Sequence, residues 1–169
     1  VTLVDERWVP EDNARSNAAL LRENLLQGPA AAARFLPLHR DTATPEEALD
    51  ALERDLAALP SPFDAVVLGM GNDGHTASFF PGGDRLTEAL DPDSSLRVLP
   101  MRAPGAGEPR VTLTVPPLLA ARHLYLHIEG AEKQAVLAQA ASGVGAGAGY
   151  PVRMVLRHVR SPLATYCCA

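Results

Sequence analysis

Asp64-Ala65-Val66-Val67-Leu68 is a short, nearly continuous apolar run bounded by Pro60 and Pro62 before it and by Gly69 after it. A run of that length and composition predicts a strand buried on both faces, as in a parallel sheet sandwiched between helices. It delivers the chain into Leu68-Gly69-Met70-Gly71-Asn72-Asp73-Gly74-His75-Thr76-Ala77-Ser78-Phe79-Phe80-Pro81-Gly82. Three glycines in six residues let the backbone turn sharply and approach a ligand closely. An acid and a histidine two apart sit inside that turn, which marks it as a candidate active site.

The flanking sequence alternates strand and helix signals. Val1 to Val4 predicts a first strand with Asp5-Glu6-Arg7-Trp8 at its carboxyl end. Residues Asn13 to Gln27 predict a helix carrying Ala14, Ala18, Leu21 and Leu25 on one stripe, with Ser16 as a cap and Gly28 beyond the end. Phe35 to Leu38 offers a short strand. Thr44-Pro45-Glu46-Glu47 combines a cap, a first-position proline and acids in the first turn, and Leu49, Leu52, Leu56 and Leu59 form the buried face of that helix.

A short helix is expected around Leu86 to Leu90 and strands at Leu96 to Leu99, Arg110 to Val115 and His123 to Ile128. Helices follow at Pro116 to Ala121 and Ala131 to Ala141. Gly143 to Gly149 reads as a flexible loop and Val152 to Leu156 as a last strand before a short tail. Strands alternating with helices predict an α/β fold: a three-layer, Rossmann-like, mainly parallel sheet with helices on both faces. No internal repeat or linker divides residues 1–169, so one domain is expected.

Composition narrows the partners. The chain is 47% hydrophobic and 21% charged with a net charge of -5, and its arginines are scattered, which argues against nucleic acid. No apolar run approaches the ~20 residues that span a bilayer, which argues against membrane insertion. Cys167 and Cys168 are adjacent and poorly placed to staple distant segments, which points to free thiols, a reducing compartment and a cytoplasmic location. Nothing in the sequence sets the oligomeric state, and a monomer suffices. Of 15 basic residues only Lys133 is lysine, in the first turn of a helix, where an ammonium opposes the helix dipole but serves a bound anion.

In parallel sheets ligands sit beyond the carboxyl ends of the strands. Asp5-Glu6-Arg7, Asn72 to His75, and Gly130 with Lys133 all fall there, whereas Arg110 would sit near the start of its strand. Gly69 to Gly74 also satisfies the G-x-G-x-x-G pattern of dinucleotide loops, but Pro81 breaks the helix that should follow and Asp73 would face the pyrophosphate. His75 is the best general-base candidate, with Asp73 orienting its ring and glycine-turn N–H groups stabilising an oxyanion; the plain alternative is a histidine satisfied by loop carbonyls. His123 and His127 lie ~13 Å apart if extended, too far for a metal pair, and read as the solvent side of a half-buried strand. Ser78 reads as a turn hydroxyl, because no nucleophile elbow surrounds it.

These motifs, in order and over nearly the whole chain, resemble the 6-phosphogluconolactonase family. Asp5 to Pro10, Ser16-Asn17, Leu68 to Gly82, Arg110 to Thr114, and Gly130 with Lys133 carry the resemblance, with Phe79 a departure from the usual leucine. The resemblance implies a fold of the NagB/RpiA/CoA transferase-like type. It implies hydrolysis of 6-phospho-D-glucono-1,5-lactone in the oxidative pentose phosphate pathway, without metal or cofactor. It further implies His75, Asp73 and Asp5 as catalytic residues, and Arg7, Gly71, Asn72, Gly74, Arg110 and Lys133 as substrate-binding ones. The related glucosamine-6-phosphate deaminases need a glutamate after the Asp-Gly-His core, and Thr76 to Phe80 has no acid. A sugar-phosphate-binding regulator that kept the fold is a further alternative. The family opens with a strand, a helix and a Ser-Gly-Gly-Ser-type phosphate loop that nothing here matches. The start at Val1, without Met and in mid-pattern, is therefore expected to reflect an incomplete N-terminus.

Overall fold

A computed structural model describes residues 1–159 and 162–168. Its parallel sheet has the order β2-β5-β6, built from β2 (Ala65–Leu68), β5 (His123–Glu129) and β6 (Ala164–Cys168). Ala65 to Leu68 pair in register with His123 to Leu126, and Tyr125 to Glu129 with Ala164 to Cys168. A second sheet, β1 (Asp5–Arg7), β4 (Arg110–Leu113) and β3 (Val98–Met101), is antiparallel throughout, in the order β1-β4-β3. Six helices connect these strands: α1 (Asn17–Asn24), α2 (Pro45–Ala57), α3 (Leu86–Ala89), α4 (Val115–Leu119), α5 (Ala131–Ser142) and α6 (Val152–His158).

Local chemistry accounts for most element boundaries. Pro45 opens α2 without forfeiting a needed N–H, Glu46 and Glu47 lie in its positive first turn, and Thr44 Oγ1 donates to Glu47 Oε1 at 3.2 Å. Ala48, Leu52 and Leu56 then recur on the buried face. Ser16 caps α1 as expected, accepting from the Ala19 N–H at 3.2 Å. Strict alternation along β5 buries Leu124, Leu126 and Ile128 and exposes His123 and His127, the solvent-side histidines expected from the pattern. One hydrophobic cluster draws on both sheets, joining Leu68, Leu126, Met101 and Leu113 with Leu52 of α2 and Val155 of α6.

Several expectations change. The first strand is shifted to Asp5–Arg7, and upstream of it only Thr2 makes a bridge, to Leu36, which is all that remains of the strand expected at Phe35 to Leu38. The helix at Asn13 to Gln27 shortens to α1, and of its stripe Ala18 alone is buried. Val152 to Leu156 is helical, because Val152 and Val155 are three apart and share a buried helical face; apolar spacing over five residues cannot separate the two periods. Gly145–Gly149 is a 3₁₀ turn with Gly147 buried, and the tail contributes β6. Strand β2 buries Val66 and Leu68 but leaves Val67 62% exposed, so among the described residues the sheet face carrying Val67, His127 and Tyr166 is open. Among those residues no helix is long and apolar enough to cross a membrane.

Candidate active site

The Gly-rich stretch leaves β2 at Leu68 and is closed by its own hydrogen bonds. The Gly71 N–H donates to the His75 carbonyl at 2.9 Å, the Gly74 N–H to the Gly71 carbonyl at 3.0 Å, and Thr76 Oγ1 to the Gly69 carbonyl at 2.7 Å. The Gly71 and Gly74 N–H groups are therefore engaged inside the turn rather than presented to an oxyanion. Gly74 has φ +75, and a Cβ there would meet the Tyr150 ring at 2.5 Å. The Val152 N–H donates to the Gly74 carbonyl at 2.9 Å, so the start of α6 braces the loop from behind.

His75 is held on three sides. Its Nδ1 lies 2.5 Å from Asp73 Oδ1, and its backbone N–H donates to the same oxygen at 3.2 Å. Its ring packs on the Phe80 ring, centroids 4.4 Å apart at 37°, and against Gly71, where a Cβ would come within 2.3 Å of Cε1. An acceptor on Nδ1 selects the tautomer with its proton there and its lone pair on Nε2. That Nε2 has no partner among the described residues, and the side chain is 31% exposed. A base in that state, open to solvent, can take a proton from water.

Beneath the ring lies a polar layer that joins the two sheets. Ala77 adopts φ +48, uncommon for a non-glycine residue, and turns Ser78 inward. Ser78, read from sequence as a turn hydroxyl, is fully buried, and its Oγ donates to Asp5 Oδ2 at 2.6 Å, which makes it a tether. Asp5 also lies 3.8 Å from Arg110 Nη1. Burial first, and then the Arg7 charge, lower the Arg110 guanidinium from its usual value, while Asp5 acts in the opposite direction. Arg110 is 7% exposed, donates from Nη2 to the Ala106 carbonyl at 2.8 Å, and places Cζ 5.2 Å from the centroid of Phe80.

Because β4 runs antiparallel to β1, the start of one strand meets the end of the other, and Arg110 pairs directly with Arg7. That resolves the objection to Arg110, which assumed parallel pairing. Like charges directly opposite across a ladder repel. Arg7 is steadied from Nη1 by the Arg15 carbonyl at 2.8 Å and Asn17 Oδ1 at 2.9 Å, yet both Arg7 Nε and Arg110 Nε are buried without a protein partner. Asn72 is exposed in the turn, and Lys133 stands half-buried in the first turn of α5 with no ion pair among the described residues. Strands β2 and β5 are parallel neighbours, so the His75 loop and the Gly130–Lys133 turn leave the same end of the sheet. A cavity of about 500 Å³ lies elsewhere, among Val1 to Val4, Leu25 and Val67.

Glu6, grouped with Asp5 and Arg7 at the ligand end of the sheet from sequence, faces the other way and braces the start of α1. It is fully buried, and its carboxylate accepts from the Arg7 N–H at 2.8 Å, the Asn17 N–H at 2.7 Å, the Ala18 N–H at 2.7 Å and Ser16 Oγ at 3.1 Å. Alternation along β1 was the available signal, since it sets Glu6 on the face opposite Asp5 and Arg7.

The sequence pattern of the family described as glucosamine-6-phosphate isomerases/6-phosphogluconolactonase matches residues 1–163. The chain belongs to that family. It is 54% identical to the 6-phosphogluconolactonase of Rhizobium meliloti over 98% of this chain and 71% of that one. Identity with the Mesorhizobium japonicum 6-phosphogluconolactonase is 48%, over 98% of this chain and 68% of that one. The crystal structure of a 6-phosphogluconolactonase from Shewanella baltica superposes with a TM-score of 0.91 at 38% identity, covering 99% of this chain and 71% of the other. The α/β family fold with its parallel sheet is thus the one expected from sequence.

Proposed function

We propose that this chain hydrolyses 6-phospho-D-glucono-1,5-lactone to 6-phospho-D-gluconate, as a hydrolase of the oxidative pentose phosphate pathway, with His75 as general base. The observation that carries the assignment of the base is the His75 ring, with Nδ1 2.5 Å from Asp73 Oδ1 and Nε2 without a partner among the described residues. Membership of the family, and relatives named 6-phosphogluconolactonase, support the substrate.

In this reading Nε2 takes a proton as water attacks the lactone carbonyl carbon, and Asp73 stabilises the imidazolium. The tetrahedral intermediate collapses with cleavage of the bond from that carbon to the ring oxygen. The imidazolium returns its proton to the departing oxygen, and the product acid ionises to solvent. Asp5 sets the pocket floor through Ser78 and Arg110. Arg7 and Arg110, with Lys133 across the sheet end, hold the phosphate and sugar-acid oxygens, relieving the repulsion between the paired arginines. Asn72 and the backbone at Gly71 and Gly74 shape the rim. The exposed free thiols Cys167 and Cys168 fit a cytoplasmic setting.

His75→Ala tests this directly. Lactone hydrolysis, with spontaneous ring opening subtracted, is expected to fall by roughly 10²–10⁴-fold, the usual contribution of a positioned general base. Undiminished turnover in the folded variant would sink the assignment.

A further inference from the structure

Asp73 alone does not account for the fixed position of the His75 ring. Its carboxylate is 46% exposed and the imidazole 31%, and a pair so open to solvent contributes little positional restraint. Two further contacts meet the ring: Gly71, which has no side chain to grip with, and Phe80. Phe80 is 3% exposed, and its ring is itself anchored: Arg110 Cζ stands 5.2 Å from its centroid, within cation–π range, while Ala106 and Asp5 hold that guanidinium in turn. The backbone beneath is pinned by the Phe80 N–H to the Ser78 carbonyl at 3.1 Å and by the Gly83 N–H to the Phe80 carbonyl at 3.0 Å.

We propose that Phe80 is a positioning residue for the general base: its Arg110-anchored ring fixes the plane of the His75 imidazole and so the direction of the Nε2 lone pair. The tilted geometry, 4.4 Å and 37°, is of the kind that aromatic pairs prefer, so rotation of the imidazole away from Asp73 forfeits a directional contact as well as a hydrogen bond. The inference rests on the hydrolytic role of His75, but its structural half is separable from turnover.

Phe80→Leu, Phe80→Met and Phe80→Tyr, made in the full chain, test it with two readouts. The Leu and Met variants are expected to lose roughly 10–100-fold in kcat, the scale of a misplaced catalytic group, with KM within about twofold of wild type; Tyr, which keeps the ring, restores kcat to within about threefold. In ¹⁵N spectra of the side chain, wild-type His75 should show one protonated Nδ1 and one bare Nε2, and the Leu variant should move toward averaged signals. A folded Leu variant with wild-type kcat and unchanged ring signals overturns the proposal, as does a rise in KM at constant kcat. Should Leu fail to fold, the Met variant, closer in volume, decides; failure of both would make Phe80 a folding residue and overturn the role. An inactive wild type with normal ring signals would instead defeat the lactonase reading and leave the positioning result standing.

Discussion

Gly71→Ala should separate catalysis from folding. A Cβ at this position would lie 2.3 Å from His75 Cε1, 2.4 Å from Nδ1 and 2.8 Å from Asp73 Oδ1, whereas ordinary contact begins at 3.4 Å. The imidazole must retreat by about 1 Å, and a misplacement of that size costs on the order of 10²-fold in rate. That corresponds to about 2.7 kcal/mol of lost transition-state stabilisation. The fold itself has little reason to suffer. Gly71 does not adopt a left-handed φ, and the three atoms nearest the new methyl belong to the partly exposed side chains of His75 and Asp73. The variant also loses chain entropy in its unfolded state, worth about 0.4–1 kcal/mol in its favour. The assay is initial-rate acid release in a pH-stat at saturating lactone, corrected for spontaneous opening, alongside thermal melting. A kcat about 100-fold lower with melting within a few degrees of wild type is expected. A folded Gly71→Ala enzyme with wild-type kcat would refute the claim that His75 works from the place it occupies here.

Glu6→Gln should act on stability. The carboxylate accepts four hydrogen bonds, three of them from backbone N–H groups, and an amide group presents hydrogens to at least one of those donors. A loss of about 3 kcal/mol follows, with melting lower by roughly 6–12 °C, and a shift under one degree would contradict it. The hydrogen bond to Arg102 holds the Glu46 carboxyl below its ordinary value, with burial opposing. A lowered carboxyl pKa contributes stability above the unfolded value that is lost as pH falls through the folded one. Both side chains are over 40% exposed, so Glu46→Gln should cost under about 1 kcal/mol by urea unfolding at pH 7, and progressively less as pH falls through the lowered carboxyl range. A difference that does not shrink on acidification would tell against the pair.

How far the sequence carried depends on whether the signal was local. Strands β2, β4 and β5 and helices α2 and α5 follow from periodicity and caps confined to a dozen residues, and the Asp73–His75 contact follows from their separation of two in a tight turn. The helix at Val152–His158 was misread because Val152 to Leu156 satisfies both periods over five residues, and only packing against α5 and the glycine loop selects one. Antiparallel pairing of β1 with β4 is likewise a tertiary fact, since the alternation of strands and helices predicts a parallel sheet by default. Ser78 and Glu6 were missed for the same reason. Each is defined by partners on another element: alternation along β1 places Glu6 on the inner face but does not name those partners, and nothing local marks Ser78 as buried.

The two sheets divide the chemistry between them. The parallel sheet positions His75, the proposed base, because β2 ends where the loop begins, and its neighbour β5 is followed by Lys133 at the same end. The antiparallel pair β1–β4 supplies two arginines that repel each other. Their alignment is useful only if it is rigid relative to His75, and the connection is the Ser78–Asp5 hydrogen bond at 2.6 Å together with Arg110 against Phe80. The Arg110–Phe80 contact is buried and the Ser78–Asp5 bond is partly so, which limits competition from water. The left-handed Ala77 is what swings Ser78 into reach, a local cost accepted for a contact 73 residues distant in sequence. The proposed anion-binding and proton-transfer groups thus share one frame, and the distance between the cations and Nε2 is set by packing rather than by loop flexibility.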